Sequence, residues 1–163
     1  MRHSSTPDHP GHLPSDPVEL DPRVVAFRLL LVTGQRLRAR MDEHLRPAGL
    51  TTQQAAVLSV VEQLGNPSLS TVADHLGTSH QNARQVADAL ARKGMLDIVR
   101  DPRDQRRRLL ELTSEAQSFW APRRDDDFSV VSSWLGGLGA EDAQQLVDLL
   151  SRILGALHPA EEE

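Results

Sequence analysis

The stretch "RDPRDQRRRLLELT", Arg100 to Thr113, decides the fold. Five arginines fall within positions 100–108, interrupted by Asp101, Pro102 and Asp104, and the run turns apolar at Leu109. On its own, an arginine run reads as a solvated surface. Its flanks give it a shape. "MLDIVR" at 95–100 and "RRLLEL" at 107–112 are short runs with strand character, and the residues between them include no apolar side chain. Two strands around a polar loop that holds a proline and two aspartates predict a β-hairpin.

What precedes the hairpin matters as much. Ser70 is placed to cap a helix carrying Val72, Ala73 and Leu76 and ended by Gly77. Thr78 or Ser79 then caps a second helix that runs through Leu90 and is stopped by Gly94. Its inward set, Ala83, Val86, Ala87 and Leu90, is small, so the helix is expected to sit close on its support. Two short capped helices in succession have the spacing of a helix-turn-helix. Followed directly by a hairpin, they make a winged helix, with the arginine cluster as the wing.

Outward from this block the chain reads as helical. Residues 1–20, with Pro7, Pro10, Pro14 and Pro17 among polar residues, cannot bury enough surface to offset ordering entropy and predict a disordered tail. His3, His9 and His12 in that tail are too loosely held to read as a metal site, and none is expected elsewhere. Asp21-Pro22 starts a helix over 21–46 with an apolar stripe through Val24, Phe27, Leu30, Leu31, Leu37, Met41 and Leu45, ended by Pro47 and Gly49. Thr51-x-x-Gln54 fits a capping box for a helix through Val57, Leu58, Val61 and Leu64, with Asn66-Pro67-Ser68 as the following turn. Beyond the wing, Thr113 caps a helix with Glu115 in its first turn, and Pro122 is expected to break or kink it after Trp120. Phe128, Val131, Trp134, Leu135 and Leu138 continue the apolar face to the Gly136-Gly137-x-Gly139 stop. The last helix carries Leu146, Leu149, Leu150, Ile153, Leu154 and Leu157, and 159–163 is an acidic tail. The expected fold is mainly α with a small β-hairpin wing. A winged helix-turn-helix over 50–113 is flanked by helices at 21–46 and 114–158 that form a dimerisation stalk.

Composition narrows the function. There are no cysteines, which removes disulfides, thiolate metal sites and thiol-based switches. No apolar run is long enough to cross a membrane and no apolar signal core is present, so the chain reads as cytoplasmic with no membrane partner. Net charge is −5, yet residues 70–113 hold eight basic and six acidic side chains, whereas 114–163 hold three and ten. Only the middle segment is net positive, and local sign governs attraction to a polyanion. No enzyme signature emerges. Ser79 and His80 are adjacent and cannot face each other as nucleophile and base, and His75 and His80 lack a third ligand. No cofactor is expected.

The second helix of the pair turns His80, Gln81, Arg84, Gln85 and Asp88 away from its inward arc, with Asn82 beside them. Gln and Asn pair with adenine, and Arg with guanine or phosphate. Helix starts at Ser70 and Ser79 offer N–H groups and hydroxyls to phosphates, which position without specifying. Lys93 is an expected phosphate contact, and Arg106, Arg107 and Arg108 are expected to contact phosphates or to form salt bridges within the hairpin.

From Leu50 to Thr113 the sequence resembles the MarR family of winged-helix transcriptional regulators. The wing motif D-x-R-[DE]-x-R stands here as Asp101-Pro102-Arg103-Asp104-Gln105-Arg106, followed by a strand ending in Leu112-Thr113, and "LSTVADHLGTS" at 69–79 and "LARKGML" at 90–96 match in type and spacing. The resemblance implies that Arg103 enters a minor groove with Asp101 orienting it. It also implies a homodimer through the first and last helices, for which Phe27, Leu31, Leu146, Leu150, Ile153, Leu154 and Leu157 are the candidate interface. Double-stranded DNA bearing a pseudo-palindromic operator is then the partner, and a small aromatic or phenolic effector releases a repressor. His44, His75, Trp120 and Trp134 are loose effector candidates, since single residues of these types more often serve packing. The alternative reading keeps the fold but makes it an adaptor or antirepressor that binds protein rather than DNA.

Overall fold

Asp21 and Pro22 open the first helix as their chemistry dictates. A computed structural model describes residues 21–157, so the tails expected at 1–20 and 159–163 lie outside the described residues. Helix α1 runs from Pro22 to Leu45, and the Asp21 carboxylate accepts a hydrogen bond from the Arg23 backbone N–H at 2.8 Å. The chain divides into two compact units, one ending at Thr52 and one beginning at Gln53.

In the first unit α1 changes character along its length. Val24 to Val32 are exposed, Leu37 and Met41 are half-buried, and Leu45 is fully buried. A 3-10 turn over Arg46–Ala48 follows, and Gly49 takes the left-handed φ of 67° that closes it. The Asp42 carboxylate receives the Thr52 backbone N–H and the Thr52 hydroxyl, each at 2.7 Å. These bonds, the backbone one first, together with nearby Arg38, hold the Asp42 carboxyl below its ordinary pKa against an opposing desolvation.

The second unit holds the winged helix. After α2 (Thr52–Leu64) come α3 (Leu69–His75), α4 (His80–Arg92), β1 (Leu96–Arg100), β2 (Arg108–Leu112), α5 (Ser114–Trp134) and α6 (Ala140–Leu157). Its core is aliphatic: Val57, Leu58 and Val61 from α2, Val72 and Ala73 from α3, and Ala83, Ala87 and Leu90 from α4. Leu96, Leu110, Ala116 and Trp120 complete it. Ala83 and Ala87 present so little side chain that α3 packs directly against α4, and Gly77, at φ 59°, makes the turn between them. Each large aliphatic group buried here contributes about 1.5–3 kcal/mol.

Ser68, not Ser70, caps α3. Its hydroxyl accepts from the Thr71 N–H at 3.1 Å, while Ser70 lies inside the first turn and is exposed. The reason is tertiary. Ser68 bridges Leu109 in antiparallel fashion and Leu110 donates to the Pro67 carbonyl at 3.0 Å, which fixes Ser68 in the extended conformation that a cap requires. The residues read as a simple turn therefore also form an isolated β-bridge to the outer side of β2.

The hairpin forms as expected, antiparallel with Leu96 opposite Leu112 and Arg100 opposite Arg108. Its loop is built from two carboxylate turns. Asp101 accepts the Arg103 N–H at 2.8 Å and Asp104 accepts the Arg106 N–H at 2.9 Å, each two residues on. The Asp101 N–H donates to the Arg107 carbonyl at 3.1 Å and closes the loop at its neck.

Thr113 caps α5 as expected, accepting from the Ala116 N–H at 3.1 Å. Pro122 does not end that helix. It lies inside a single element of 21 residues. Proline there removes one backbone donor and costs about 3 kcal/mol in an isolated helix. Packing of Ala116 and Trp120, both nearly fully buried one turn apart, opposes that local preference. In α6 no residue is buried; Leu146, Leu149, Ile153, Leu154 and Leu157 are exposed and Leu150 is half-buried.

Asp42 gives a pH-dependent prediction. Its folded pKa is depressed, so its contribution is present above the unfolded value of about 3.9 and is lost as pH falls through the lowered folded value. Asp42→Ala should cost about 1 kcal/mol at neutral pH, the size of a lost cap, and flatten the acid limb of stability below pH ~4 in urea titrations. For the wing, Asp101→Ala and Asp104→Ala should accelerate amide hydrogen exchange at Arg103 and Arg106 respectively, while amides of the buried α4 segment keep their protection.

Candidate nucleic-acid interface

Helix α4 buries one arc and leaves the other to solvent, because its small apolar residues recur at helical spacing. Ala83, Ala87 and Leu90 are buried, whereas His80, Gln81, Arg84 and Gln85 are exposed. Ser79 caps the helix, its hydroxyl accepting from the Asn82 N–H at 3.2 Å. The Asn82 side-chain amide donates to the Thr78 hydroxyl at 2.8 Å, so that side chain is half-buried and anchored beside the helix start. Arg84 Nε lies 3.7 Å from the Asp88 carboxylate, one turn on.

These residues share the first two turns of α4. Lys93 does not join them. It is the C-cap of a helix of 13 residues, about 20 Å of axis from the start. Its ammonium donates to the Gln54 side-chain carbonyl at 2.8 Å, across 39 residues of sequence. That partner carries no sequence signal, because only the fold brings α2 to the end of α4. Ser70 stands apart as well, exposed on α3 but without the capping role expected of it.

The wing presents the second basic surface. Arg103, Arg106 and Arg107 are exposed, and among the described residues none has a carboxylate within ion-pair distance. The aspartates between them bond the backbone instead, so Asp101 supports Arg103 by fixing its main chain rather than by holding its guanidinium. Asp101 and Asp104 thus set the loop's shape and leave the arginine heads to solvent. Among the described residues no group of histidines and acids is arranged to hold a metal ion, and no helix is long and apolar enough to cross a membrane.

Helix α5 carries a feature that sequence reasoning did not foresee in full. The indole N–H of buried Trp120 and the Nε of Arg123 are buried donors without a partner among the described residues. They stand three residues apart, and hence on one face of the helix. The Arg123 guanidinium also lies 5.2 Å from the centre of the Phe119 ring. Trp120 was legible as a candidate, but Arg123 carried no distinguishing signal.

Known proteins share this architecture. Residues 48–107 match the model of the MarR family. The transcriptional activatory protein BadR of Rhodopseudomonas palustris is 35% identical over 75 residues, which cover 44% of this chain and 43% of that protein, so the match spans less than half of that relative's length. A crystal structure of an E. coli MarR mutant complexed with operator DNA superposes with a TM-score of 0.75 at 20% identity, covering 82% of this chain and 96% of that one. A structure from work on the regulation of DNA binding of Bordetella bronchiseptica BpsR by 6-hydroxynicotinic acid gives a TM-score of 0.72 at 25% identity, covering 79% and 98%. The wing motif, the order of helices and hairpin, and the match over residues 48–107 agree: that stretch is similar to the MarR family, and the chain shares the winged helix-turn-helix fold of these solved structures.

Proposed function

We propose that this protein is a sequence-specific DNA-binding regulator that acts as a homodimer on a pseudo-palindromic operator and is a repressor released by a small aromatic or phenolic effector. One observation carries the DNA reading. An exposed polar face on α4 is followed directly in the chain by a wing whose arginines have no acidic partner among the described residues. His80, Gln81, Arg84 and Gln85 face base edges in the major groove, and the Ser79 end of α4 receives a phosphate. Arg103 enters the adjacent minor groove, where a narrow A·T tract concentrates negative potential. Arg106 and Arg107 neutralise phosphates. Lys93 and Ser70 have lesser, peripheral roles.

The homodimer reading rests on exposed apolar surface. Helix α6 offers Leu146, Ile153, Leu154 and Leu157, and α1 offers Phe27 and Leu31. Val25, Leu29 and Val32 are also exposed on α1 and fall on a different side from Phe27 and Leu31, so the stripe read from sequence was only part of its apolar surface. Exposed apolar patches of this kind mark association sites. Recognition helices of such a dimer stand about 34–36 Å apart, one turn of DNA.

The effector reading is supported by the unpartnered Trp120 and Arg123 donors. A buried donor without an acceptor is costly, and an aromatic ligand bearing a carboxylate or phenolate would satisfy both. The DNA binding of BpsR is regulated by 6-hydroxynicotinic acid, a ligand of that class.

Fluorescence-anisotropy titration against the intergenic DNA beside the gene should give saturable binding that weakens steeply with salt. Arg103→Ala should then cost about 1–3 kcal/mol. A confirmed dimer that binds no promoter fragment at low salt would leave the adaptor reading in place. Light scattering should return twice the 18.0 kDa chain mass, and Ile153→Asp with Leu154→Asp should return the monomer. In a promoter–reporter assay, expression should fall when the protein is supplied; a rise would make it an activator, as BadR is described.

A further inference from the structure

We infer that Asp88 is a positioning residue that sets base specificity through Arg84, an inference that rests on the DNA-binding reading above. Arg84 and Asp88 are four residues apart on α4, so their side chains lie one above the other on the same helix face. The carboxylate oxygen Oδ2 of Asp88 lies 3.7 Å from Arg84 Nε. Nε is the inner nitrogen of the guanidinium. An acid placed on that side leaves the two terminal nitrogens as a free fork, the part of arginine that matches the O6 and N7 acceptors of guanine.

The surroundings favour this arrangement. Arg84 and Asp88 border a crevice of about 10 Å³ between α4 and the wing strands, with Ile98 and Leu110 on its apolar side. A space of that size barely admits one water. Both side chains lie at the solvent side of it, 64% and 42% exposed. Arg108 borders the same crevice. Asp88 is also the one acid among the thirteen residues of α4. A carboxylate on a surface that approaches DNA repels phosphate, so it weakens sequence-independent binding. In water an exposed pair of this kind is weak, but exclusion of solvent at a DNA interface strengthens the attraction that restrains Arg84.

Two opposed consequences separate positioning from a merely structural role. Removing the Asp88 charge should loosen Arg84 and erode preference for one base, while binding to unrelated DNA stays equal or tightens. The experiment is selection of bound sequences from a randomised duplex pool, with wild type, Arg84→Ala, Asp88→Asn and Asp88→Glu compared at one salt concentration. Anisotropy on a fixed unrelated duplex supplies the sequence-independent affinity, and circular dichroism confirms the fold of each variant. Wild type should prefer guanine at one position of each half-site. R84A and D88N should both lower that preference, at the same position, by about tenfold. D88E should restore part of it, and D88N should bind the unrelated duplex at least as tightly as wild type.

Undiminished guanine preference in D88N would overturn the inference. So would loss at a position different from that affected by R84A, which would mean that Asp88 contacts its own base. Weaker binding of D88N to the unrelated duplex as well would also overturn it, as a structural effect. A wild type that binds no duplex in the pool would overturn the DNA-binding reading itself, and the two failures are thereby distinct.

Discussion

Thr113 ties the winged helix together. Its hydroxyl donates to the Gly94 carbonyl at 2.8 Å and accepts from the Ala116 N–H at 3.1 Å, while its own N–H donates to the Met95 carbonyl at 3.3 Å. One residue thereby closes the open end of the hairpin, meets the turn that leaves α4, and starts α5. Gly94, at φ 71°, supplies the left-handed turn that brings its carbonyl within reach. With both strands pinned at their base, the wing needs only a tip that turns, and the two aspartate turns provide it from local chemistry. The position of the arginines relative to α4 follows from this closure.

Charge distribution completes what the backbone begins. The wing aspartates direct their carboxylates to backbone N–H groups, so they shape the loop without pairing off the arginines beside them. Exposed unpaired guanidiniums cost little in water, and together they give one surface a positive potential on a chain of net charge −5. The excess of acid lies after residue 113. Attraction and repulsion of a polyanion are thus separated along the chain, which a total charge conceals.

Helix α6 poses a different physical problem. It buries no residue, yet it is lined with leucine and isoleucine at helical spacing. Helices in proteins owe most of their stability to packing of an apolar face, and the apolar face of this one is left largely exposed. Association would remove that surface from water at about 25 cal/mol per Å². The exposed half of α1 presents the same chemistry in the other unit.

The sequence by itself determined the elements whose causes are local. Asp21-Pro22, Ser79 and Thr113 start helices because their side chains serve donors two or three residues away, and the wing turns because its aspartates do the same. The small inward set of α4 was readable because helical periodicity alone sorts its faces. Tertiary structure decided the rest. Ser68 rather than Ser70 caps α3 because pairing with Leu109 sets its backbone. Lys93 meets Gln54, and Asn66 donates to Glu111 at 3.2 Å, only because the fold closes separations of 39 and 45 residues. Pro122 stays inside a helix that local preference would end there. Short-range hydrogen bonds are written in neighbouring residues, whereas burial and long-range pairing depend on which distant segments the core brings together.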